Sequence, residues 1–102
     1  MFVIVVYDIA LENELDTSGQ RRLSKILKKC REYFHHVQKS VFEGEINQGA
    51  FRRFKTEALQ IIDTSKDSLL IYISRTDKYF SRETIGKPSG GLMENDSHEM
   101  IL

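Results

Sequence analysis

Asp8 is the side chain whose type and setting point most directly to chemistry, a carboxylate closing the strand-forming run Phe2-Val-Ile-Val-Val-Tyr7. A hard divalent cation such as Mg2+ takes oxygen ligands, often one or two carboxylates with water filling the remaining positions. A cation held there could polarise a phosphoryl oxygen or supply a hydroxide for in-line attack. Aspartate also ends strands and opens turns readily, because its side chain bonds to nearby backbone. The residues alone leave both readings standing. No His or Lys adjoins Asp8 as a general base, and His35, His36 and His98 are remote along the chain. The His35-His36 pair reads as a helix end, where positive charge suits the dipole.

A second constellation is cationic. Arg21, Arg22, Lys25, Lys28, Lys29 and Arg31 fall within eleven residues that contain no acid. Such a face repels itself unless a polyanion neutralises it, and contacts to phosphate are insensitive to base sequence. The alternative is a solubilising helix surface. Residues 20–56 hold ten Lys or Arg against three Glu, while residues 1–19 hold four acids and no base. The net charge of zero therefore conceals a basic middle, which hints at a polyanionic partner. Duplex backbone fits better than single-strand base stacking, because Val41-Phe42-Glu43 lacks the required aromatic and basic pattern.

The chain of 102 residues, 40% hydrophobic and 29% charged, has the size and composition of one soluble domain. A domain this small buries only about 60–65% of its unfolded surface, so self-association would help it. The run Phe2 to Tyr7 is too short to span a bilayer and lacks the flanks of a signal peptide. Cys30 is the single cysteine, has no disulfide partner, and lies on an apolar helix stripe. A cytoplasmic protein with no membrane association is expected.

The elements that must position these residues follow from periodicity. Phe2 to Ile9 reads as a strand, apolar at every position up to Asp8, which implies burial on both faces. Thr17 with Gln20 fits a capping box for a helix from about 18 to 35, with Leu23, Ile26, Leu27, Cys30 and Phe34 on its apolar side. Val37 to Ile46 reads as two short strands joined by a bend near Lys39 and Ser40. Asn47 is a plausible cap for a second helix whose stripe is Phe51, Phe54, Ala58, Leu59 and Ile62. Ser68 to Ile73 is another apolar strand, and a short extra strand is expected around 83–85. The order is βαββαβ plus that strand, an α+β ferredoxin-like sandwich. The expected domain covers residues 1–87, followed by a flexible C-terminal tail over 88–102. Helices cover one face of such a sheet, so a strand buried on both sides calls for a second layer. A sheet-to-sheet homodimer supplies it. An unusually apolar central strand in a monomer is the alternative.

Val3-Ile-Val-Val-Tyr-Asp-Ile9, followed about thirty residues later by Val37-Gln-Lys-Ser-Val-Phe-Glu-Gly44, resembles the small CRISPR-associated adaptation protein. This family is often called the CRISPR-associated endoribonuclease, and it partners the CRISPR integrase. The resemblance spans residues 1–73, with 74–87 matched loosely and the tail hardly at all. It implies a symmetric dimer in which two Asp8 carboxylates face each other and hold Mg2+ or another divalent cation. Metal-dependent cleavage of RNA or DNA is the catalytic activity it implies for Asp8. Bridging integrase subunits while gripping duplex DNA in spacer acquisition is the architectural one. Arg21, Arg22, Lys25, Lys28 and Lys29 become the nucleic-acid contacts. Tyr7, Ser40 and Phe42 are assigned to the dimer cleft, with core as the alternative for Phe42. Leu70 departs from the pattern, since the family commonly carries a basic residue in that strand.

Overall fold

The computed structural model describes residues 1–74, 79–87 and 99–101, with side chains described for 1–74 and 83–87. Its elements run β1 (Phe2–Asp8), α1 (Thr17–Tyr33), β2 (His35–Gln38), β3 (Val41–Glu45), α2 (Gln48–Ile61), β4 (Ser68–Ser74), β5 (Tyr79–Gly86) and β6 (Glu99–Ile101). The strands form one sheet in the order β2-β3-β1-β4-β5-β6, with every neighbouring pair antiparallel. The first four strands and both helices make the ferredoxin-like α+β arrangement.

Local chemistry explains most boundaries. Asn47 caps α2 by accepting from the Ala50 N–H at 2.8 Å, as its residue type suggests. The cap of α1 is Asp16, one residue before the expected Thr17, and its carboxylate accepts from the Gly19 N–H at 2.9 Å. Burial of Phe34 turns the chain out of α1 into extended backbone. The expected helix end at His35-His36 is therefore the first half of β2. Lys39, at a φ of 43°, makes the bend into β3. β5 runs eight residues where a short strand around 83–85 was expected. Within the segment expected to be a flexible tail, Glu99–Ile101 pairs with Tyr79–Ser81; residues 88–98 and 102 lie outside the described residues.

The core lies between the sheet and the helices. Val3, Val5, Phe42, Leu69 and Ile71 rise from the strands to meet Ile26, Cys30, Phe54 and Ala58. Phe34 and Phe54 meet edge to face, with centroids 5.0 Å apart, an arrangement that the aromatic quadrupole favours. Leu59 was expected in the α2 stripe, but it is 45% exposed. β1 differs from its sequence reading in an informative way. Val3, Val5 and Tyr7 are buried, whereas Phe2, Ile4 and Val6 are half-buried. The two helices cover one face of the sheet, so the apolar run alternates in burial despite its uniform composition.

Candidate functional site

The face of the sheet away from the helices carries an apolar strip ending in Asp8. Register sets Ile4 beside Glu43 and Tyr72, Val6 beside Val41 and Leu70, and Asp8 beside Ser68. Side chains alternate along a strand, so these residues share one face. Leu70 is 6% exposed, yet it stands apart from the helix-side core cluster. Its apolar side chain continues the strip next to Val6.

Asp8 occupies the last position of β1 and is exposed. No described residue donates a hydrogen bond or ion pair to its carboxylate, which leaves the oxygens available. Among the described residues no group of three or more His, Cys, Asp or Glu could hold a metal ion. One subunit thus offers a cation a single carboxylate. A hard divalent ion accepts one or two carboxylates with water completing its shell, and the Asp8 carboxylate is a donor of that kind. Neither exposed histidine of β2 neighbours Asp8, because β3 lies between β2 and β1. His36 instead stacks on Phe42, with centroids 4.4 Å apart, and its Nε2 donates to the Lys39 carbonyl at 2.6 Å.

The structure places Tyr7 and Phe42 on the helix side. Both are buried in the chain's own core with ring centroids 6.1 Å apart. Strand alternation decides this, since both are out of phase with Asp8. Burial pushes the Tyr7 phenol above its ordinary 10.0. Ser40 lies half-buried in the β2–β3 turn, and its carbonyl accepts from the Tyr7 N–H at 3.2 Å. The three residues assigned to a dimer cleft are therefore close together, but the rings of two of them point away from the open face.

The cations of α1 divide into two sets. Arg21, Lys25 and Lys28 are exposed and spaced four and three residues apart, so they line one outward stripe. Arg31 is exposed beside them. Lys29 pairs with Glu32 at 3.1 Å and Glu57 at 3.4 Å, and these carboxylates hold its ammonium above the usual range. Arg22 leaves the expected nucleic-acid set altogether. Its Nε donates to Asp67 Oδ2 at 2.7 Å, with side-chain exposures of 13% and 0%. The α2 helix adds exposed Arg52 and Arg53 to the same helical layer.

Asp67 is the residue that sequence reasoning missed. Its carboxylate also accepts from the Ala10 N–H at 2.9 Å and the Asp63 N–H at 2.8 Å. An acid immediately before an uninterrupted apolar strand was the available signal, since burial there demands a partner.

The family described as CRISPR associated protein Cas2 matches residues 1–82. A CRISPR-associated endoribonuclease Cas2 of Dictyoglomus turgidum is 38% identical over 102 residues, covering all of both chains. One of Fusobacterium nucleatum is 41% identical over 86 residues, covering 84% of this chain and 77% of its own. The crystal structure of Streptococcus pyogenes Cas2 at pH 6.5 superposes with a TM-score of 0.64 at 36% identity, covering 72% of this chain and 86% of that one. The described residues contain no helix long and apolar enough to cross a membrane. On the match across most of its length, and on the shared sheet and helix layer, the chain belongs to the CRISPR associated protein Cas2 family.

Proposed function

We propose that this chain is a subunit of the CRISPR spacer-acquisition complex, in which two copies pack sheet to sheet, grip duplex DNA and bridge the integrase. The observation that carries this reading is the apolar open face of the sheet with Asp8 at its margin. Phe2, Ile4, Val6 and Val41 are only half-buried in one subunit, with Leu70 and Tyr72 beside them. An apolar surface of this kind marks an interface more often than a solvent face. A second copy laid across it buries the strip, sends both helical layers outward, and gives the seam two Asp8 carboxylates. The pair would hold Mg2+ or another divalent cation. A bound cation would supply charge neutralisation beside phosphate. The outward stripe Arg21, Lys25, Lys28 has no ion-pair partner among the described residues and presents charge suited to duplex phosphates. RNA offers the same backbone chemistry. A cytoplasmic location accords with this role.

The test is the mass in solution by light scattering. Twice the 11.9 kDa subunit mass is expected for the native chain. Leu70→Glu, which sets charge in the seam, should yield monomers with weakened duplex binding. A native chain that stays monomeric at working concentration overturns the reading.

A second reading, metal-dependent endonuclease, draws on the free Asp8 carboxylate and on the relatives' name as endoribonucleases. The two readings part at Asp8→Ala. Spacer acquisition that persists in the variant leaves cleavage unnecessary. Acquisition lost while dimer and DNA binding remain intact makes the architectural role insufficient.

A further inference from the structure

Ala10 lies two residues beyond Asp8, and one ion pair holds both of its backbone polar groups. Its N–H donates to Asp67 Oδ1 at 2.9 Å, and its carbonyl accepts from Arg22 Nη2 at 3.3 Å. Arg22 Nε closes the triangle by donating to Asp67 Oδ2 at 2.7 Å. On the other side of Asp8, its rung partner Ser68 directly follows Asp67 in the chain. The chain around Asp8 is thus tied to the same carboxylate by two routes, one through Ala10 and one through β4. Helix α1 approaches the same peptide closely. A Cβ on Gly19 would stand 2.8 Å from the Ala10 carbonyl oxygen, so only glycine allows the helix to start there without displacement.

A buried ion pair is a poor source of net stability, because desolvation of both charges offsets their attraction. Its effect here is geometric. A planar guanidinium can reach a carboxylate and a carbonyl together, which a lysine ammonium cannot do in the same fixed fork. We propose that the Arg22–Asp67 pair is a positioning device for Asp8, pinning the chain just past β1 so that the carboxylate is held at the margin of the open sheet face for a divalent cation. The proposal rests on the reading of Asp8 as a cation-holding carboxylate. The pair itself touches no cation and acts through the Ala10 peptide. Groups that orient a ligand in this indirect way commonly change metal affinity by about 10–100-fold when altered.

The experiment uses the full chain and Mn2+ as the probe, with free Mn2+ followed by electron paramagnetic resonance. Arg22→Lys keeps the charge against Asp67 but gives up the fork. Asp67→Asn removes the charge and is the harsher change. Ser24→Ala, at an exposed position of α1 outside the cationic stripe, is the control. Arg22→Lys is expected to fold, to weaken Mn2+ binding roughly tenfold, and to speed hydrogen exchange at the Ala10 amide while the Val5 amide stays protected. Native Mn2+ affinity with a released Ala10 amide overturns the proposal. So does an Ala10 amide that stays protected, or loss of the fold in both variants, which would make the pair structural alone. Asp8→Ala separates the underlying reading: undiminished Mn2+ binding there refutes Asp8 as the ligand. In that event the Asp8 carboxyl ¹³C resonance of the metal-free protein still decides the clamp, since it should move in Arg22→Lys and not in Ser24→Ala.

Discussion

Individual side chains divide by whether the fold has already used their chemistry. Asp8 and Asp67 are both aspartates at a strand margin, yet Asp67 spends its carboxylate on Arg22, Ala10 and Asp63, while no described residue bonds to the carboxylate of Asp8. Among the described residues nothing occupies the Asp8 carboxylate, so it can meet a group outside the chain. Cys30 is used in a different sense. It is fully buried, and desolvation pushes its thiol up to about 12. The thiolate is the reactive species, so an alkylating reagent at pH 8 should leave native protein unmodified and label it completely in denaturant. Rapid labelling of the native protein, followed by mass spectrometry, would show that the α1 packing is wrong.

At the scale of elements, α1 carries the functional argument because one helix presents two cationic environments. Arg22 and Lys29 are turned toward carboxylates of neighbouring elements, and Arg21, Lys25 and Lys28 are not. A triple change of the latter three to Ala should weaken duplex binding uniformly across DNA sequences and reduce the salt slope by up to about three. Lys29→Ala should leave that slope almost unchanged, since its charge is already neutralised within the protein. Filter binding across a salt series distinguishes the two. Equal slopes for the native and triple-variant proteins would remove α1 from the nucleic-acid surface. Including Arg22 in such a set would confuse the result, because its loss strands a buried carboxylate.

For the whole molecule, acid sets the clearest limit on the folded state. Hydrogen bonds from the Gly19 and Glu12 backbone hold Asp16 below its ordinary 3.8, and bonds from Ser65 do the same for Asp63. Tyr33 and Lys29 hold Glu57 below its ordinary 4.5. Each group has a folded-state value below its unfolded one. Its stabilising contribution is complete above the unfolded value and is lost as pH falls through the folded value. Stability measured by urea titration should therefore hold from neutrality to about pH 5 and fall below the ordinary carboxylate range. Because all three groups remain partly open to solvent, the loss should be gradual and reduced by salt. A decline beginning above pH 6 would point to a group outside this set.

The amino-acid sequence determined the element order from β1 to β5, the helix stripes apart from Leu59, and the Asn47 cap, because these depend on local periodicity and on side chains bonding within a few residues of themselves. It also marked Asp8 and the basic middle of the chain. It misjudged α1 by one residue at its cap and read His35-His36 as helix, since Asp16 and Thr17 are both good caps and burial of Phe34 decides where the helix stops. Only the tertiary structure separated Arg22 from its exposed neighbours, buried Asp67, and turned the rings of Tyr7 and Phe42 toward the helices. Those outcomes depend on contacts between residues as many as 57 positions apart and on the phase of each strand. Composition and spacing carry no record of either.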